Sequence, residues 1–340
     1  MRYEEFLRTK ESYITPSGFE ALNLNSKMFS YQRDIVTWAV KKGKAAIFAD
    51  CGMGKTLMQL EYAKQVCDHE RENVLIVAPL SVTTQTKSEG GKFGYDVNIA
   101  RKQEDVKNGI NITNYEMLEH FDADRFCGVV LDESSILKSF TGKMKQEIID
   151  KFKFTPYKLA CTATPAPNDF VELGNHAEFL NIMSRSEMLA TYFIHDGGDT
   201  SKWRLKGHAE DEFWKWIASW GCVITKPSDL GYSDEGFVLP EINYIEHIVS
   251  SEADEGLLCA LLASTLSERR DARKKSMQER VNTAAEICTE KNKQFVVWCD
   301  FNAESQALAK KLKIQSKYVV LIARSINRNA ECLFHTEISE

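Results

Sequence analysis

The sequence lacks the features that would assign it to a membrane, disulfide-rich or zinc-binding class. Its 340 residues contain no apolar run near the about 20 residues needed to cross a bilayer. The nine cysteines form no C-x-x-C pair and show no cysteine–histidine spacing typical of zinc sites. Scattered cysteines of this kind are usual for free thiols in a reducing compartment. We therefore expect a cytoplasmic chain without membrane contact, structural zinc or a disulfide framework.

The sequence also lacks an excess of basic residues. Its formal net charge is −6, with 43% hydrophobic and 27% charged residues, the proportions of a globular protein. Contacts with phosphate need basic groups only where they form, so any nucleic-acid-binding surface must be local. At this length the chain has room for two domains.

The most informative feature is a glycine-containing loop at residues 49–56. It reads Ala49-Asp50-Cys51-Gly52-Met53-Gly54-Lys55-Thr56, between an apolar run and a run with helical spacing. A strand, a glycine turn and a helix start are the context in which the G-x-x-x-x-G-K-[ST] pattern binds phosphate. The glycines let backbone N–H groups point at one anion near the positive end of a helix. The alternative is an ordinary glycine-containing turn between a strand and a helix.

The residue types in this loop predict specific roles. Lys55 would reach the β- and γ-phosphates of a nucleotide, and Thr56 would offer its hydroxyl to Mg²⁺. Ala49 stands where the pattern has its first glycine, a position that tolerates small residues. The loop therefore predicts binding of ATP together with Mg²⁺.

Short apolar runs alternate with helix-like stretches after residue 44. The predicted strands are 45–49, 74–78, 97–99, 110–113, 128–131 and 157–161. Continuous apolar strands separated by helices indicate an α/β fold with a parallel sheet buried on both faces. Such sheets bind ligands at the carboxyl ends of their strands, which is where the loop at 49–56 falls.

An acidic pair, Asp132 and Glu133, follows the predicted strand 128–131. Such a pair at the carboxyl end of a strand is favourable beside a bound cation and costly without one. Asp132 would hold Mg²⁺, and Glu133 would orient and deprotonate the attacking water. The alternative is a surface turn.

Four further motifs lie along the chain. They are Phe29-Ser30-Tyr31-Gln32, Ala78-Pro79-Leu80-Ser81-Val82, Ile112-Thr113-Asn114-Tyr115-Glu116 and Cys161-Thr162-Ala163-Thr164-Pro165. Together with the loop and the acidic pair, they resemble the motifs of superfamily 2 DExD/H-box helicases. The sequence looks close to the phage-type helicases and the chromatin-remodelling ATPases, over roughly residues 28–320.

The resemblance implies a P-loop NTPase (RecA-like) sheet domain and a motor that hydrolyses ATP along nucleic acid. In this family the glutamine at the position of Gln32 reads the adenine edge. Ser81, Thr113 and Asn114 would contact the nucleic-acid backbone. Thr162 and Thr164 would couple hydrolysis to movement between domains. DNA is favoured over RNA, by analogy with the remodelling and phage enzymes.

The sequence departs from the family in two places. The acidic motif reads Asp-Glu-Ser-Ser, so its last position, Ser135, would link to residues 161–165 through a hydroxyl. We also find no motif V and no motif VI, whose arginine faces the γ-phosphate. That arginine contributes about 10³–10⁵ in rate. We therefore expect good ATP binding but poor hydrolysis, unless a protein partner supplies the missing half of the second motor domain.

The same reasoning predicts the domain organisation. We expect an N-terminal extension at 1–27 and an ATP-binding domain at 28–245 with an accessory helical insertion at about 183–240. A helical linker and the start of an incomplete second RecA-like domain would occupy 246–322. Residues 323–340 would form an unstructured tail.

Two other functional classes stay open at this stage. The chain could be an ATP-binding switch that contacts nucleic acid or protein without turnover, which the missing motifs favour. An unrelated phosphate-loop enzyme such as a kinase would leave Gln32 and residues 162–165 unexplained.

Overall fold

The computed structural model describes residues 16–138, 142–196, 199–238, 240–249, 265–290, 295–312 and 319–322. They divide between residues 239 and 240 into two compact units.

The first unit is built on a parallel sheet. Its strands are β1 Lys44–Ala49, β2 Val74–Ala78, β3 Val97–Ile99, β4 Ile110–Asn114, β5 Gly128–Asp132, β6 Tyr157–Thr162, β7 Phe193–Asp196, β8 Asp199–Leu205 and β9 Gly221–Ile224. Seven of these strands form one sheet in the order β3-β4-β2-β5-β6-β1-β9, with every pair parallel. The strands β7 and β8 form a separate antiparallel hairpin. The predicted α/β class with a parallel sheet is confirmed.

Helices cover both faces of this sheet. They are α1 Ser30–Lys42, α2 Lys55–Glu70, α3 Thr83–Phe93, α4 Lys143–Lys151, α5 Leu173–Phe179, α6 Arg185–Tyr192 and α7 Glu210–Trp220. Across the described part of the chain, none is both long and apolar enough to cross a membrane.

The continuous apolar runs reflect burial on both faces of the strands. In β1, Ala45 and Ile47 pack in one core with α1 and α2. Ala46 and Phe48 point the other way, into a second core that includes α5, α6 and α7. Because successive side chains alternate between faces, a strand buried on both sides needs apolar residues at every position. All six predicted strands coincide with strands of the structure, and the continuous apolar runs mark the central ones.

The segment 183–240 differs from the prediction of an accessory insertion. Within it, β9 joins the main sheet beside β1, with Ala46 opposite Gly221 and Ala49 opposite Ile224. The helix before it, α7, buries Phe213, Trp216, Ile217 and Trp220 in the second core. Their positions follow helical spacing, which places all four side chains on one face of the helix. The strand was missed because its four residues follow the helix directly, without a turn signal.

The residues predicted as an N-terminal extension are partly integrated into the first unit. The amide of Leu22 donates to Gln65 Oε1 at 3.0 Å, and Gln65 Nε2 donates back to the carbonyl of Leu22 at 2.8 Å. Asn25 Nδ2 donates to the carbonyl of Phe93 at 2.8 Å. Residues 16–27 therefore pack on α2 and the end of α3, whereas residues 1–15 lie outside the described residues.

The second unit contains two helices followed by a strand, a helix and a second strand. Its elements are α8 Leu266–Lys275, α9 Met277–Glu290, β10 Val296–Cys299, α10 Asn302–Lys311 and β11 Val319–Ile322. The strands β10 and β11 pair in parallel. Val281, Ala285, Cys299 and Leu308 form its core. The predicted tail at 323–340 lies outside the described residues.

A lysine is buried in the middle of the main sheet. Lys158, on β6, is 0% exposed, and its Nζ donates to the carbonyl of Phe179 at 2.8 Å and to Asn181 Oδ1 at 3.3 Å. Burial, assisted by the positive charge of Lys44, lowers the pKa of Lys158 to about 7. No acidic partner is present for it among the described residues.

We predict that Lys158→Met changes how stability depends on pH. Lysine has an ordinary pKa of 10.5, so between about pH 7 and 10 the unfolded chain binds more protons than the folded one. The wild type should therefore lose stability relative to the variant as the pH falls through this range. A difference of at least about 1 kcal/mol is expected, since one pKa unit corresponds to about 1.4 kcal/mol. Urea unfolding at pH 7, 8.5 and 10 measures it.

The exposed Lys143, at 92% side-chain exposure, provides the matched control through Lys143→Met. Its difference from the wild type should not vary with pH. A similarly flat difference for Lys158→Met would show that Lys158 stays charged in the folded state.

Candidate active site

The predicted loop, acidic pair and threonine motif meet at one edge of the sheet. The order β5-β6-β1 places β6 between the strands that carry the acidic pair and the loop. Phe48 pairs with Thr162, and Asp132 pairs with Cys161, so the three strands end at the same level. Parallel strands bring their carboxyl ends to a common edge, which is where ligands bind in such sheets.

The loop at 49–56 curls as the sequence predicts. Gly52 and Gly54 have φ values of +84° and +76°, a region that favours glycine. A Cβ at Gly54 would lie 2.3 Å from Gln32 Nε2. The helix α2 begins at Lys55. Lys55 Nζ donates to the carbonyls of Ala49 at 2.8 Å and Asp50 at 3.1 Å.

The remaining loop residues differ in exposure. Asp50 and Cys51 are exposed, and the amide of Cys51 donates to Asp50 Oδ1 at 2.6 Å. Met53 is buried. Thr56 is half-buried in the first turn of α2. Backbone amides and the start of a helix at this loop form the electropositive surroundings that favour an anion.

Gln32 lies against the loop but does not present a free amide edge. Its side chain is 3% exposed. Its Oε1 accepts from the amide of Phe29 at 3.0 Å, and its Nε2 donates to the carbonyl of Met53 at 3.0 Å. Reading an adenine edge would require breaking these bonds, because both ends of the amide are engaged. In this arrangement Gln32 ties the start of α1 to the loop, and adenine recognition by Gln32 stays a prediction.

Asp132 is linked to α2 through a residue that the sequence analysis did not identify. Gln59, one helical turn after Lys55, is fully buried, and its Nε2 donates to Asp132 Oδ1 at 2.7 Å. The amide of Glu133 donates to the same oxygen at 3.0 Å. Burial raises the pKa of Asp132; these hydrogen bonds and the charge of Lys55 oppose that rise. The sequence offered one signal for this contact, because Gln59 is a polar residue within the otherwise apolar run that follows Thr56.

Glu133 is held in an uncommon backbone conformation. Its φ is +52°, in the left-handed region, which costs a residue other than glycine about 1–2 kcal/mol. Its Oε1 accepts hydrogen bonds from Ser135 Oγ at 2.6 Å and from Thr162 Oγ1 at 2.7 Å. Thr162 Oγ1 in turn accepts from the amide of Thr164 at 3.0 Å. The predicted link between Ser135 and the threonine motif therefore runs through the carboxylate of Glu133.

The turn after Glu133 contacts α5 through two further residues that the sequence analysis missed. Ser134 Oγ and His176 Nε2 share a hydrogen bond at 3.1 Å. Asn175 Nδ2 donates to the carbonyl of Leu137 at 2.8 Å. Ser134, Asn175 and His176 are 0%, 1% and 0% exposed, and burial lowers the pKa of His176 to about 4. No spacing pattern in the sequence distinguishes Asn175 or His176.

The residues predicted to contact nucleic acid are not equally accessible. Ser81 is half-buried in a short turn after β2. Thr113 is 1% exposed on β4, so its hydroxyl cannot reach a bound strand in this arrangement. Asn114 is 9% exposed, and its Oδ1 accepts from the amide of Met117 at 3.0 Å, capping a turn. The side chain of Ser81 is therefore accessible for the predicted contact with a nucleic-acid backbone. The side chain of Thr113 is not, because alternation along β4 places it in the core.

The residues available for a metal are few. In the part of the chain that the structure describes, no group of three or more His, Cys, Asp and Glu side chains could hold a metal ion. Mg²⁺ at nucleotide sites usually takes one or two protein ligands, with phosphates and water supplying the others. Asp132, a half-buried carboxylate beside the loop, and the hydroxyl-bearing Thr56 fit that pattern.

Comparison with known proteins shows what this arrangement is similar to. Residues 31–193 match the family described as SNF2-related domain. A Sulfolobus solfataricus SWI2/SNF2 ATPase core in complex with dsDNA has a similar structure, with a TM-score of 0.54 and 18% identity over 86% of this chain and 71% of that chain. A SWI2/SNF2 ATPase core domain from the same organism is also similar, with a TM-score of 0.52 and 16% identity. The match covers 86% of this chain and 69% of that chain. No curated protein matches the sequence.

These similarities show that the chain has a RecA-like fold of the kind found in SWI2/SNF2 ATPase cores. More particularly, residues 31–193 carry a SNF2-related domain. The resemblance and the fold class inferred from the sequence are confirmed.

We predict that Asp132→Asn stabilises the ligand-free protein. The substitution removes a half-buried negative charge while keeping an oxygen that can accept from Gln59 Nε2. Single stabilising substitutions commonly raise the free energy of unfolding by about 0.5–2 kcal/mol, and we expect a gain in this range. Urea unfolding at pH 7 without nucleotide measures the change. Asp124→Asn, at an exposed position in the same unit, is the control and should have no effect. Destabilisation by Asp132→Asn would show that the carboxylate is favourable where it lies.

Proposed function

We propose that this protein is an ATP-driven translocase that acts on DNA. The observation that carries the proposal is the meeting of Lys55, Asp132, Glu133 and Thr162 at one sheet edge. A phosphate-binding loop, a metal acid and a general base are three of the parts that ATP hydrolysis uses.

The loop at 49–56 would bind the triphosphate. Lys55 Nζ now bonds to two loop carbonyls, and phosphate oxygens would replace them as stronger, charged acceptors. Asp132 and Thr56 would hold Mg²⁺, which when bound offsets the negative charge of the phosphates. Gln59 holds the Asp132 carboxylate through a hydrogen bond from α2, the helix that begins at the loop.

Glu133 would act as the general base. Its carboxylate accepts hydrogen bonds from two hydroxyls on one oxygen, which fixes the orientation of the group. The other oxygen can accept a proton from a water molecule. Thr162 connects this carboxylate to the amide of Thr164, so a shift of residues 162–164 would alter the position of the base.

Aromatic residues beside the loop offer a surface for the base of the nucleotide. Phe29 is 58% exposed, lies edge-on to Phe237 at 5.2 Å and stacks with Tyr31 at 6.0 Å. The hydroxyl of Tyr31 donates to the carbonyl of Met53 in the loop at 3.0 Å. An exposed ring next to a phosphate loop is suited to stacking on adenine. Phe237 was not identified from the sequence.

The choice of DNA rests on similarity. The Sulfolobus structure that shares this fold was determined in complex with dsDNA. Ser81, in the turn after β2, is the predicted backbone contact that is partly accessible. Domain closure around ATP is part of the proposal, by analogy with the family.

The decisive experiment measures ATP hydrolysis with duplex DNA, single-stranded DNA, RNA and no nucleic acid. We expect duplex DNA to give the largest stimulation. Lys55→Ala should abolish both nucleotide binding and turnover, because the loop loses its point charge at the phosphates. The matched control is Lys64→Ala, on the exposed side of α2.

Three results would contradict the proposal in different ways. Tight ATP binding by Lys55→Ala would show that the loop at 49–56 is not the nucleotide-binding site. ATP binding by the wild type without hydrolysis under any condition would favour a binding switch. Equal rates with and without nucleic acid would refute a translocase.

We predict that Glu133→Gln separates binding from turnover. The amide keeps the shape of the side chain but cannot accept a proton at neutral pH, so hydrolysis should fall at least about 100-fold. The dissociation constant of Mg·ATP, measured by calorimetry, should change less than about threefold. Loss of binding together with weaker dependence on Mg²⁺ would identify Glu133 as a metal ligand.

A further inference from the structure

The turn after Glu133 is fixed to α5 by two adjacent side chains. His176 bonds to Ser134 Oγ, and Asn175 bonds to the carbonyl of Leu137, at the two ends of one short turn. All four residues are almost fully buried. Asn175 Oδ1 also accepts from Lys145 Nζ at 3.3 Å, which holds its amide in this orientation.

A histidine at this place is not explained by packing alone. Its ring lies edge-on to Phe48 at 5.2 Å, in a core otherwise formed by apolar and aromatic side chains. A leucine would fill a similar volume there without a polar group to satisfy. The hydrogen bond to Ser134 is what the imidazole adds.

The turn needs such support because it begins at a strained residue. Glu133 has a positive φ, so its backbone conformation is not favoured locally and must be imposed by surrounding contacts. The bonds from Ser135 and Thr162 orient its side chain. His176 and Asn175 bond to the residues that follow Glu133: His176 to the side chain of Ser134, and Asn175 to the carbonyl of Leu137.

We propose that His176, together with Asn175, is a positioning residue that fixes the Ser134–Lys138 turn and thereby the orientation of Glu133. Its effect on turnover rests on the proposed function. Its effect on the turn itself does not, which allows the two to be tested separately.

The first measurement is hydrogen exchange of the amides at 134–138 without ATP. His176→Leu should speed exchange at least tenfold there and leave β5 at 128–131 unchanged. His176→Gln, whose amide can reach Ser134, should restore slow exchange. His208→Leu, at an exposed position, is the control. Unchanged exchange in a folded His176→Leu variant, or equal acceleration in the turn and in β5, would overturn the proposal.

The second measurement is a double-mutant cycle on turnover. Ser134→Ala and His176→Leu should each lower kcat about tenfold at an unchanged KM for ATP, and His176→Gln should recover most of it. The double variant should be no worse than either single one, because both remove the same bond. Multiplying effects, or a loss confined to KM, would overturn the positioning role. A wild type that shows no hydrolysis would refute the proposed function, and the exchange data would then decide the inference alone.

Discussion

The parallel direction of the strands is the constraint on which the site depends. Parallel strands deliver all their carboxyl ends to one edge, and here that edge receives the loop after β1, the acidic pair after β5 and Thr162 at the end of β6. The interposed β6 sets the lateral spacing between loop and acidic pair. Gln59 then bridges the spacing by reaching from α2 to Asp132. The sheet topology thus brings the site residues together, and hydrogen bonds such as those of Gln59 and Thr162 orient their side chains.

Much of this arrangement follows from local sequence signals. The apolar runs predicted the central strands because burial on both faces of a sheet favours apolar residues at successive positions. Gly52, Gly54 and Lys55 predicted the loop because few sequences can curl a backbone directly into a helix. Thr162 was expected near the acidic motif from the family resemblance, and its bond to Glu133 shows how the two motifs meet.

Other parts depend on tertiary packing and could not be predicted. The location of Gln32 along the chain suggested an accessible amide, but its orientation is decided by Phe29 and Met53, whose positions are known only in the fold. Thr113 carries a suitable hydroxyl, yet alternation along β4 turns it into the core. His176 lies 42 residues from its partner Ser134, and no spacing rule relates them.

The bonds of Lys55 to its own loop carbonyls have a consequence for selectivity. Because Lys55 Nζ already donates to two carbonyls, an anion that binds it must replace those hydrogen bonds, and an anion with a low charge or a single contact would gain little by doing so. A polyphosphate can compensate for the broken contacts because several of its oxygens bind the loop at once. Under the proposed function, the self-bonded loop would therefore bind a polyphosphate in preference to inorganic phosphate, because only the polyphosphate replaces both contacts with several of its own.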